Sequence, residues 1–532
     1  MKAVGCNKPL TTTTSTTTTA AAAAAGRRFI DFVNRTGSPY HSVLASKRLL
    51  LNKGFTPLSE KKSWSSIIQR GGKYFITRNH SEIFAFIVGN KFNTDAMSNN
   101  AAGGAGSRII MVGAHTDSPC LRLRPRSPIK PKEGIIQLGV TTYGGGLWHT
   151  WFDRGLGMAG KVVIHNKKGY IEERLIRVDR PVAIIPNLAI HLQTAEERNA
   201  GFKINPEEHL MPIFCSSKYY QEQQQAAAAA GGGDDDKQDT DDDAMVNGNH
   251  RALMELLSNE AGCAINDIID FDICMMDATP SSIIGVYDEF ISSPRVDNLL
   301  STWACMEALS SQSDHLVDGK DIYIAAAFDH EECGSTSYTG ANSMTLQSWI
   351  KRILSSLDQH ADRYFSQIIA RSILVSADGA HAIHPNYPSK HQSEHKVYLH
   401  DGIVIKTNTN QRYATNALTA SMIRALASSC TPCGGSDEGD GGVNTAAPIP
   451  IQDFVVRNDS PCGSTIGPMM SANIGIRTID LGAAQWAMHS CRETCSVDDA
   501  AHLVSLCEVI YKHWGDIDDN LIEVMDDDDA RQ

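Results

Sequence analysis

The amino-acid sequence predicts an α/β fold, an α/β sandwich into which a mostly β domain is inserted. Short apolar runs alternate with helix-like segments in both outer parts of the chain. The stretch from 124 to 282 is instead rich in short β-branched runs bounded by glycine. With 532 residues, 42% apolar and 20% charged, the composition is that of an ordinary globular protein. A mostly disordered chain, a collagen-like fibre and a small disulfide scaffold are excluded.

Four apolar runs predict buried strands, because uninterrupted apolar residues suit a sheet that is covered on both faces. These runs are residues 108–113, 321–328, 373–377 and 476–481. Apolar periodicity predicts helices between and after them. The helical segments lie within 27–53 and at 298–310, 343–357, 417–429 and 497–513.

This pattern predicts a discontinuous domain of residues 27–123 and 283–532, with 124–282 as the insertion. Low-complexity stretches at 1–26, 97–106, 221–249 and 432–446 are expected to lack structure, since they cannot bury enough apolar surface to offset chain entropy. The Thr- and Ala-rich extension of residues 1–26 is also compatible with an organelle transit peptide. We favour the disordered extension.

Charge and cysteine content restrict the partners and the compartment. The net charge is −13, and the seven aspartates within 234–243 contribute much of it, so a nucleic-acid partner is not expected. The thirteen cysteines are scattered, which favours reduced thiols and a cytoplasmic protein. An organelle or the vacuole is the alternative if the extension is a targeting segment. No apolar run reaches 18 residues, so no membrane span is expected.

Side chains typical of metal ligands follow each predicted strand. The first strand leads to His115, the second to the pair Glu331 and Glu332, the third to Asp378, and the fourth to His489. Because the carboxyl ends of strands in an open α/β sheet border one crevice, these side chains are expected to converge. Asp297 opens the helix at 298–310 and is a further candidate, although an N-cap is the alternative role for an aspartate there.

Two histidines and three carboxylates form a mixed nitrogen and oxygen ligand set that suits zinc or a similar divalent ion. Five ligands exceed the three that a single catalytic zinc usually takes from the protein, and they fit two ions bridged by one carboxylate. The adjacent Glu331 and Glu332 offer one ligand and one general base. Any one of these residues alone is more often a satisfied polar group, so the prediction depends on the whole set.

Eight strings, in this order along the chain, carry a resemblance to a known family. They are HTDSPCLRL (115–123), YGGGLWHTWFDR (143–154), VDNLLS (296–301), EECGS (331–335), SADGAHAIHPNY (376–387), NQRYATN (410–416), VRNDSPCGSTIGP (456–468) and AMHSCRE (487–493). From about residue 29 to 513, the chain resembles the aspartyl aminopeptidases, which are two-zinc metallopeptidases. His330, Cys333 and Gly379 depart from the family's pattern.

The resemblance implies roles for particular residues and two zinc ions per subunit. The metal ligands would be His115, Asp297, Glu332, Asp378 and His489, with Asp297 as the bridging carboxylate and Glu331 as the general base. His191 would reach the active site of a neighbouring subunit. The substrate's acidic side chain would meet Lys406 and Tyr413, with His381 also in the pocket. The inserted domain would serve oligomerisation in a homododecamer.

The sequence therefore predicts a catalytic domain that releases N-terminal Asp or Glu from peptides by a two-metal mechanism. An aminopeptidase of broad or neutral specificity on the same scaffold is one alternative. The other is a catalytically silent assembly or cargo protein, because related vacuolar aminopeptidases carry N-terminal extensions. The cluster of His381, His384, His391 and His395 could hold an extra metal ion, but Pro385 and Pro388 favour a loop there.

Overall fold

The predicted α/β class is confirmed in a computed structural model of the chain. The structure describes residues 15–93, 106–201, 203–227, 229, 245–358, 361–429 and 448–521. One nine-stranded mixed sheet carries helices on both faces, and a separate five-stranded antiparallel sheet forms a second body of structure. None of the described helices is long and apolar enough to cross a bilayer.

The helices are α1 (Ser15–Val33), α2 (Pro39–Asn52), α3 (Ala195–Ala200), α4 (Pro206–His209), α5 (Ser217–Ala227), α6 (Arg251–Ala261), α7 (Val296–Ser311), α8 (Ser313–Val317), α9 (Thr345–Leu357), α10 (Phe365–Arg371), α11 (Ala417–Ser429), α12 (Ile466–Ile474) and α13 (Val497–Asp519).

The strands are β1 (Thr56–Leu58), β2 (Lys73–Arg78), β3 (Glu82–Val88), β4 (Ile109–His115), β5 (Cys120–Leu123), β6 (Ile135–Gln137), β7 (Val140–Tyr143), β8 (Leu156–His165), β9 (Ile171–Ala183), β10 (Ile213–Ser216), β11 (Met245–Val246), β12 (Asn249–His250), β13 (Ile268–Asp277), β14 (Ser282–Ile284), β15 (Phe290–Ser293), β16 (Ile322–Phe328), β17 (Ile373–Ala377), β18 (Ala380–His381), β19 (Ile403–Thr407), β20 (Ile451–Val455), β21 (Arg477–Gly482), β22 (Ala484–Trp486) and β23 (Glu493–Ser496).

The four predicted strands form the centre of the large sheet. Its order is β1-β2-β3-β16-β4-β17-β21-β19-β20, and β16, β4, β17 and β21 run parallel to their neighbours within this group. Strands β4, β16 and β17 are buried along their whole length, which explains their uninterrupted apolar sequence. The predictions for these strands and for the helices α7, α9, α11 and α13 are confirmed to within a few residues, except that α13 extends to Asp519.

Two hydrophobic cores lie on the two faces of this sheet. In β4, Ile110 and Val112 face the core formed with α1, α2, α7 and α13, whereas Ile109 and Met111 face the core formed with α9, α10 and α12. This alternation follows from the two-residue period of a strand. Because helices cover both faces, a ligand is expected at the ends of the strands.

The five-stranded sheet has the order β7-β5-β13-β8-β9 and its own core, to which α6 contributes Leu253, Met254 and Leu257. Most of its strands come from residues 124–282, and β5 joins it from just before the predicted boundary. A third sheet has the order β14-β15-β23-β22-β18. Along the chain, its strand β18 comes shortly after β17, and its strand β22 comes shortly after β21. The division into a catalytic and an inserted oligomerisation domain stays a prediction.

Two of the segments expected to lack structure are helical in part, and the expectations were wrong for those parts. Residues 15–26 begin α1, where Ala22 and Ala25 are buried and Gly26 packs against Val497. Alanine has the highest helix propensity, and these alanines also find an apolar surface to cover. Residues 221–227 likewise belong to α5, and residues 245–246 and 249 to short strands. Residues 1–14, 97–105, 228, 230–244 and 432–446 lie outside the described residues.

Candidate metal centre and active site

The ends of the central strands bring the predicted ligands to one edge of the large sheet. His115 is the last residue of β4, and Asp378 directly follows β17. Glu331 and Glu332 lie in a short 3-10 turn, Glu331–Cys333, after β16. His489 lies between β22 and β23 in the left-handed region, at a φ of 66°. These positions are those expected for a crevice at the carboxyl ends of the strands.

Asp297 lies between two groups of these side chains. One of its carboxylate oxygens, Oδ1, is 3.3 Å from His115 Nε2, and Asp378 Oδ1 is 3.7 Å from the same nitrogen. The other oxygen, Oδ2, is 3.4 Å from His489 Nε2, which is also 3.4 Å from Glu332 Oε2. Three groups of possible ligands lie close enough together among the described residues. Two of them, His115–Asp297–Asp378 and Asp297–Glu332–His489, share one carboxylate and are the candidate ion sites; the third is His115–Glu331–Glu332.

The burial of these groups fits bound cations. Asp297 Oδ1 and Glu332 Oε1 are buried and have no hydrogen-bond partner among the described residues. A buried carboxylate without a partner is costly, and a divalent cation would satisfy both oxygens. Two imidazoles and three carboxylates are also the donor set that zinc accepts. The residues present thus fit a two-ion centre.

The pKa values show how crowded the negative charges are without cations. Burial raises the pKa of Glu331 to about 8, and the nearby Asp378, Asp117 and Asp297 act in the same direction, while His115 opposes them. Burial and Asp297 raise the pKa of Glu332 well above its ordinary value. Burial opposes ionisation of Asp297, yet the imidazoles of His115 and His489, 3.3 and 3.4 Å from its two oxygens, hold its pKa well below the usual range. A cation would favour the charged form of every carboxylate here.

Lys406 and Tyr413 line the same cavity as the ligands, together with His381 and Phe454. Lys406 is only 2% exposed, so it is not a surface lysine at a strand edge. Its Nζ donates to the Gly379 carbonyl at 3.2 Å, lies 3.4 Å from Asp378 Oδ2 and is 5.1 Å from the centre of the Tyr413 ring. A buried ammonium thus faces the metal centre from the side.

His191 is not near the centre of its own chain. It lies in the 3-10 turn Ile190–Leu192, is exposed and does not line the cavity of the ligands. Its neighbours Ile190 and Leu192 are 59% and 70% exposed, although both are large and apolar. Its predicted role in a neighbouring subunit stays a prediction.

Two acidic residues that hold the candidate ligands in place were given no role in the sequence analysis. Asp117 accepts hydrogen bonds from the Tyr143 hydroxyl at 2.6 Å and from the backbone amides of Glu331 and Glu332 at 3.2 and 3.1 Å. Its Oδ1 is also 3.4 Å from His115 Nδ1. Such partners fix the orientation of metal ligands.

Glu493 has the same function on the other side of the centre. It accepts hydrogen bonds from the backbone amides of Asp297 at 3.0 Å and His489 at 2.8 Å. Asp117 lies two residues after His115, and Glu493 lies four residues after His489. Both also lie inside motifs that carry the family resemblance, 115–123 and 487–493. That proximity is the one signal that could have found them.

The glycine run 144–146 packs its backbone against the centre. Gly145 accepts a hydrogen bond from His489 Nδ1 at 3.0 Å, which fixes the ring so that Nε2 faces Asp297. At Gly144, where φ is +72°, an added Cβ would lie 3.1 Å from the Cβ of Glu332. A side chain at this position would therefore push against a ligand.

His330 and Cys333, the two residues beside the glutamate pair that depart from the family's pattern, leave the candidate ligands in place. His330 adopts left-handed backbone geometry, with a φ of 63°, where an asparagine would be less strained. Its Nδ1 is 2.8 Å from Ser337 Oγ, so the ring is held outside the ligand set. Cys333 is exposed, and the partial burial of its thiol raises the pKa of that thiol.

An α/β sheet with clustered nitrogen and oxygen ligands at its strand ends is the arrangement of a metal-dependent hydrolase. The family model "Aminopeptidase I zinc metalloprotease (M18)" matches residues 32–511. The chain belongs to this M18 family and is a hydrolase, a metalloexopeptidase.

Relatives and solved structures agree with this assignment. The chain is 40% identical over 500 residues to an aspartyl aminopeptidase of Aspergillus oryzae, covering 91% of this chain and 95% of the relative. It is 40% identical over 501 residues to an aspartyl aminopeptidase of Dictyostelium discoideum, covering 92% and 97%.

Two solved structures show the same fold over nearly the whole chain. The cryo-EM structure of the Ape4 and Nbr1 complex matches with a TM-score of 0.83 at 35% identity, covering 96% of this chain and 89% of that one. The S. cerevisiae mApe1 dodecamer matches with a TM-score of 0.74 at 25% identity, covering 93% and 98%.

Proposed function

We propose that this protein is an aspartyl aminopeptidase, which removes an N-terminal aspartate or glutamate from peptides. The observation that carries the proposal is the buried ammonium of Lys406 beside the candidate metal centre. The names of the relatives from Aspergillus oryzae and Dictyostelium discoideum support the same specificity.

Two zinc ions per chain are proposed as the cofactors. His115 and Asp378 would hold one ion, Glu332 and His489 the other, and Asp297 would bridge them. Bound there, the ions would supply Lewis-acid activation of a water molecule and of the scissile carbonyl. The unpartnered oxygens of Asp297 and Glu332 support this arrangement.

Glu331 is proposed as the general base. Its Oε2 is 4.0 Å from His115 Nε2, next to both ion sites, and its side chain lines the cavity that the substrate would enter. A carboxylate at this position takes a proton from the attacking water and passes it to the leaving amine. Because burial and neighbouring carboxylates raise its pKa, its affinity for a proton is higher than that of an exposed glutamate.

Lys406 is proposed to bind the carboxylate of the substrate's first side chain. It is buried, so an anion that enters the pocket meets a cation in a medium where their attraction is strong. One donor bond goes to the Gly379 carbonyl, which leaves further donors of the ammonium for the substrate. An uncharged side chain would leave this buried charge with less compensation, and that difference produces the specificity.

Self-association, most simply as a homododecamer, is proposed for the assembled enzyme. The exposed apolar side chains around His191 support a protein interface, and one matching solved structure is described as a dodecamer. In such an assembly His191 would complete the active site of a neighbouring subunit. The cytoplasmic location stays a prediction.

The proposal is tested by hydrolysis of matched peptides that begin with Asp, Glu, Leu, Ala or Arg, with and without a chelator. We expect release of Asp and Glu alone, abolished by the chelator. Chelator-sensitive release of Leu or Ala instead would contradict the proposed acidic pocket but would still agree with the proposed metal centre. No release by protein that holds two ions would favour a silent assembly protein.

Glu331→Gln tests the base separately. We expect turnover to fall about 10²- to 10⁴-fold while metal content is unchanged, because the glutamine cannot accept the proton. Metal analysis and initial rates are measured on the same preparation. An unchanged rate would contradict the role of Glu331.

A further inference from the structure

A second pocket opens from the wall of the metal cavity. We call it the side pocket, and its lining includes His381, His384, Lys390, His391, Arg457 and Trp486. His381, Phe454 and Met488 line both cavities. The rings of His381 and Phe454 meet edge to face, with their centres 6.0 Å apart, so they form the partition between the two spaces.

The side pocket is large enough to admit a peptide side chain, and the charged side chains that line it have one sign. Its volume is about 320 Å³. Lys390 and Arg457 contribute cations and three histidines contribute imidazoles, whereas no aspartate or glutamate is among the described residues that line it. A cavity lined by one sign of charge concentrates ligands of the opposite sign.

Lys390 is the cation in this pocket that lacks a counterion. It ends the 3-10 turn Pro388–Lys390 and is exposed, and its ammonium has no hydrogen-bond or ion-pair partner among the described residues. Arg457 differs, because its guanidinium is 2.6 Å from Asp459 and part of its charge is already neutralised. The attraction for an anion therefore centres on Lys390.

We propose that the side pocket binds the second residue of the substrate and favours an acidic side chain there. The inference rests on the proposed function: the first side chain is placed at Lys406 and the scissile bond at the candidate metal centre, and the cavity that holds both adjoins the side pocket along His381, Phe454 and Met488. The pocket next along that wall is the cationic one. Peptides that begin with two acidic residues are thus the preferred substrate class.

This contact is made equally before and during bond cleavage, so it lowers KM and leaves kcat unchanged. For a pair at a partly exposed lysine we expect a KM about fivefold lower with aspartate than with asparagine at the second position. Lysine at that position is expected to raise KM. Low ionic strength is needed, because salt screens a partly exposed pair.

The test uses the metal-loaded, assembled protein and the amidated peptides Asp-Asp-Ala-Ala, Asp-Asn-Ala-Ala and Asp-Lys-Ala-Ala. Lys390→Glu is expected to reverse the KM order, so that the lysine peptide binds best, and Lys390→Arg is expected to keep it. The control is Lys396→Glu, an exposed lysine outside the pocket in the same segment, which should leave the order unchanged. A merely structural role of Lys390 would not exchange one preference for the other.

A second arm separates the two sources of a carboxylate. Asp-Ala with a free C-terminus is compared with its amide, because a terminal carboxylate could occupy the same pocket in a dipeptide. A lower KM only for the free dipeptide, with no effect of the second side chain, would overturn the proposal. Equal KM values for all second residues in the wild type, or no change in Lys390→Glu, would also overturn it. If none of the peptides is cleaved, the proposed function fails; cleavage without second-residue preference contradicts this inference alone.

Discussion

The metal centre and the loop around His191 are both incomplete in a single chain, but in opposite ways. At the centre, charged groups are buried and two carboxylate oxygens lack hydrogen-bond partners within the part of the chain that the structure describes. In the loop, which we call the apolar loop (residues 188–192), Leu188, Ile190 and Leu192 are 51%, 59% and 70% exposed. A buried anion needs a cation, whereas an exposed apolar group needs another apolar surface.

This contrast separates two requirements for activity, ion binding and assembly. A measurement of activity alone would not distinguish them. Ion binding should depend on residues of the centre and not on assembly. Assembly should depend on the apolar loop and not on ions. Each variant below is therefore measured for metal content and for molecular mass in solution, as well as for rate.

Asp297→Asn is expected to have the largest effect, because it removes the one carboxylate that both candidate sites share. We expect a loss of both ions and a fall in kcat/KM on the order of 10⁴-fold. Metal analysis and light scattering check the result, with Asp314→Asn, at an almost fully exposed aspartate, as control. A variant that keeps two ions would contradict the bridging role, and one that dissociates would contradict the separation of the two regions.

Lys406→Met tests the specificity of the centre at a residue that is not itself a proposed ligand. Because the ammonium is 3.4 Å from Asp378 Oδ2, metal content is measured on the same preparation. The methionine fills a similar volume but cannot neutralise a substrate carboxylate, so the preference for Asp over Leu at the first position should fall about 100-fold. The ratio of kcat/KM for the two peptides is the measurement. If the ratio is unchanged while metal content is normal, the acidic pocket lies elsewhere.

The strand ends explain how much of the centre was predictable from the sequence. His115 and Asp378 follow buried apolar strands, and topology alone brings such positions together. Closeness to a ligand in sequence is the one signal for Asp117 and Glu493, and it does not reveal their supporting roles. Those roles depend on backbone amides of distant residues, Glu332 for Asp117 and Asp297 for Glu493.

The same difference explains the errors in the fold. The long apolar runs of the sheet predict buried strands from local sequence alone, because a strand that is apolar on both sides is buried whichever way it faces. The alanines of 20–25 do not, because a polyalanine segment without charged residues has no face marked as buried. They form a helix here and pack beside α13, which lies almost 500 residues later in the chain. Local sequence cannot contain that contact.

The double substitution Ile190→Asp and Leu192→Asp tests the apolar loop. Two charges in a buried interface would be desolvated without partners, so the assembly should dissociate into smaller species. Activity should fall about 10- to 100-fold if His191 serves a neighbouring active site, with metal content unchanged. Tyr219→Asp, at an exposed aromatic residue elsewhere in the same region, is the control. Full activity in a dissociated variant would contradict the role of His191.

The smallest expected effect is the pH dependence of ion binding, which should be a property of the centre alone. Burial disfavours protonation of His489, but its hydrogen bond to Asp297 outweighs this and raises the pKa to about 9 in the metal-free protein. Below pH 9 the ring therefore holds a proton that an ion must displace.

The apparent affinity for zinc should consequently fall about tenfold between pH 8 and pH 7, and at least one proton should be released for each chain that binds. Competition with a chromophoric chelator gives the affinity, and calorimetry in two buffers of different ionisation enthalpy gives the proton count. The apolar-loop double variant should show the same slope, because none of its changes lies near His489 or Asp297. A flat profile over this interval would mean that His489 is already neutral and that Asp297 does not hold its proton; a different slope in the double variant would mean that assembly and ion binding are coupled after all.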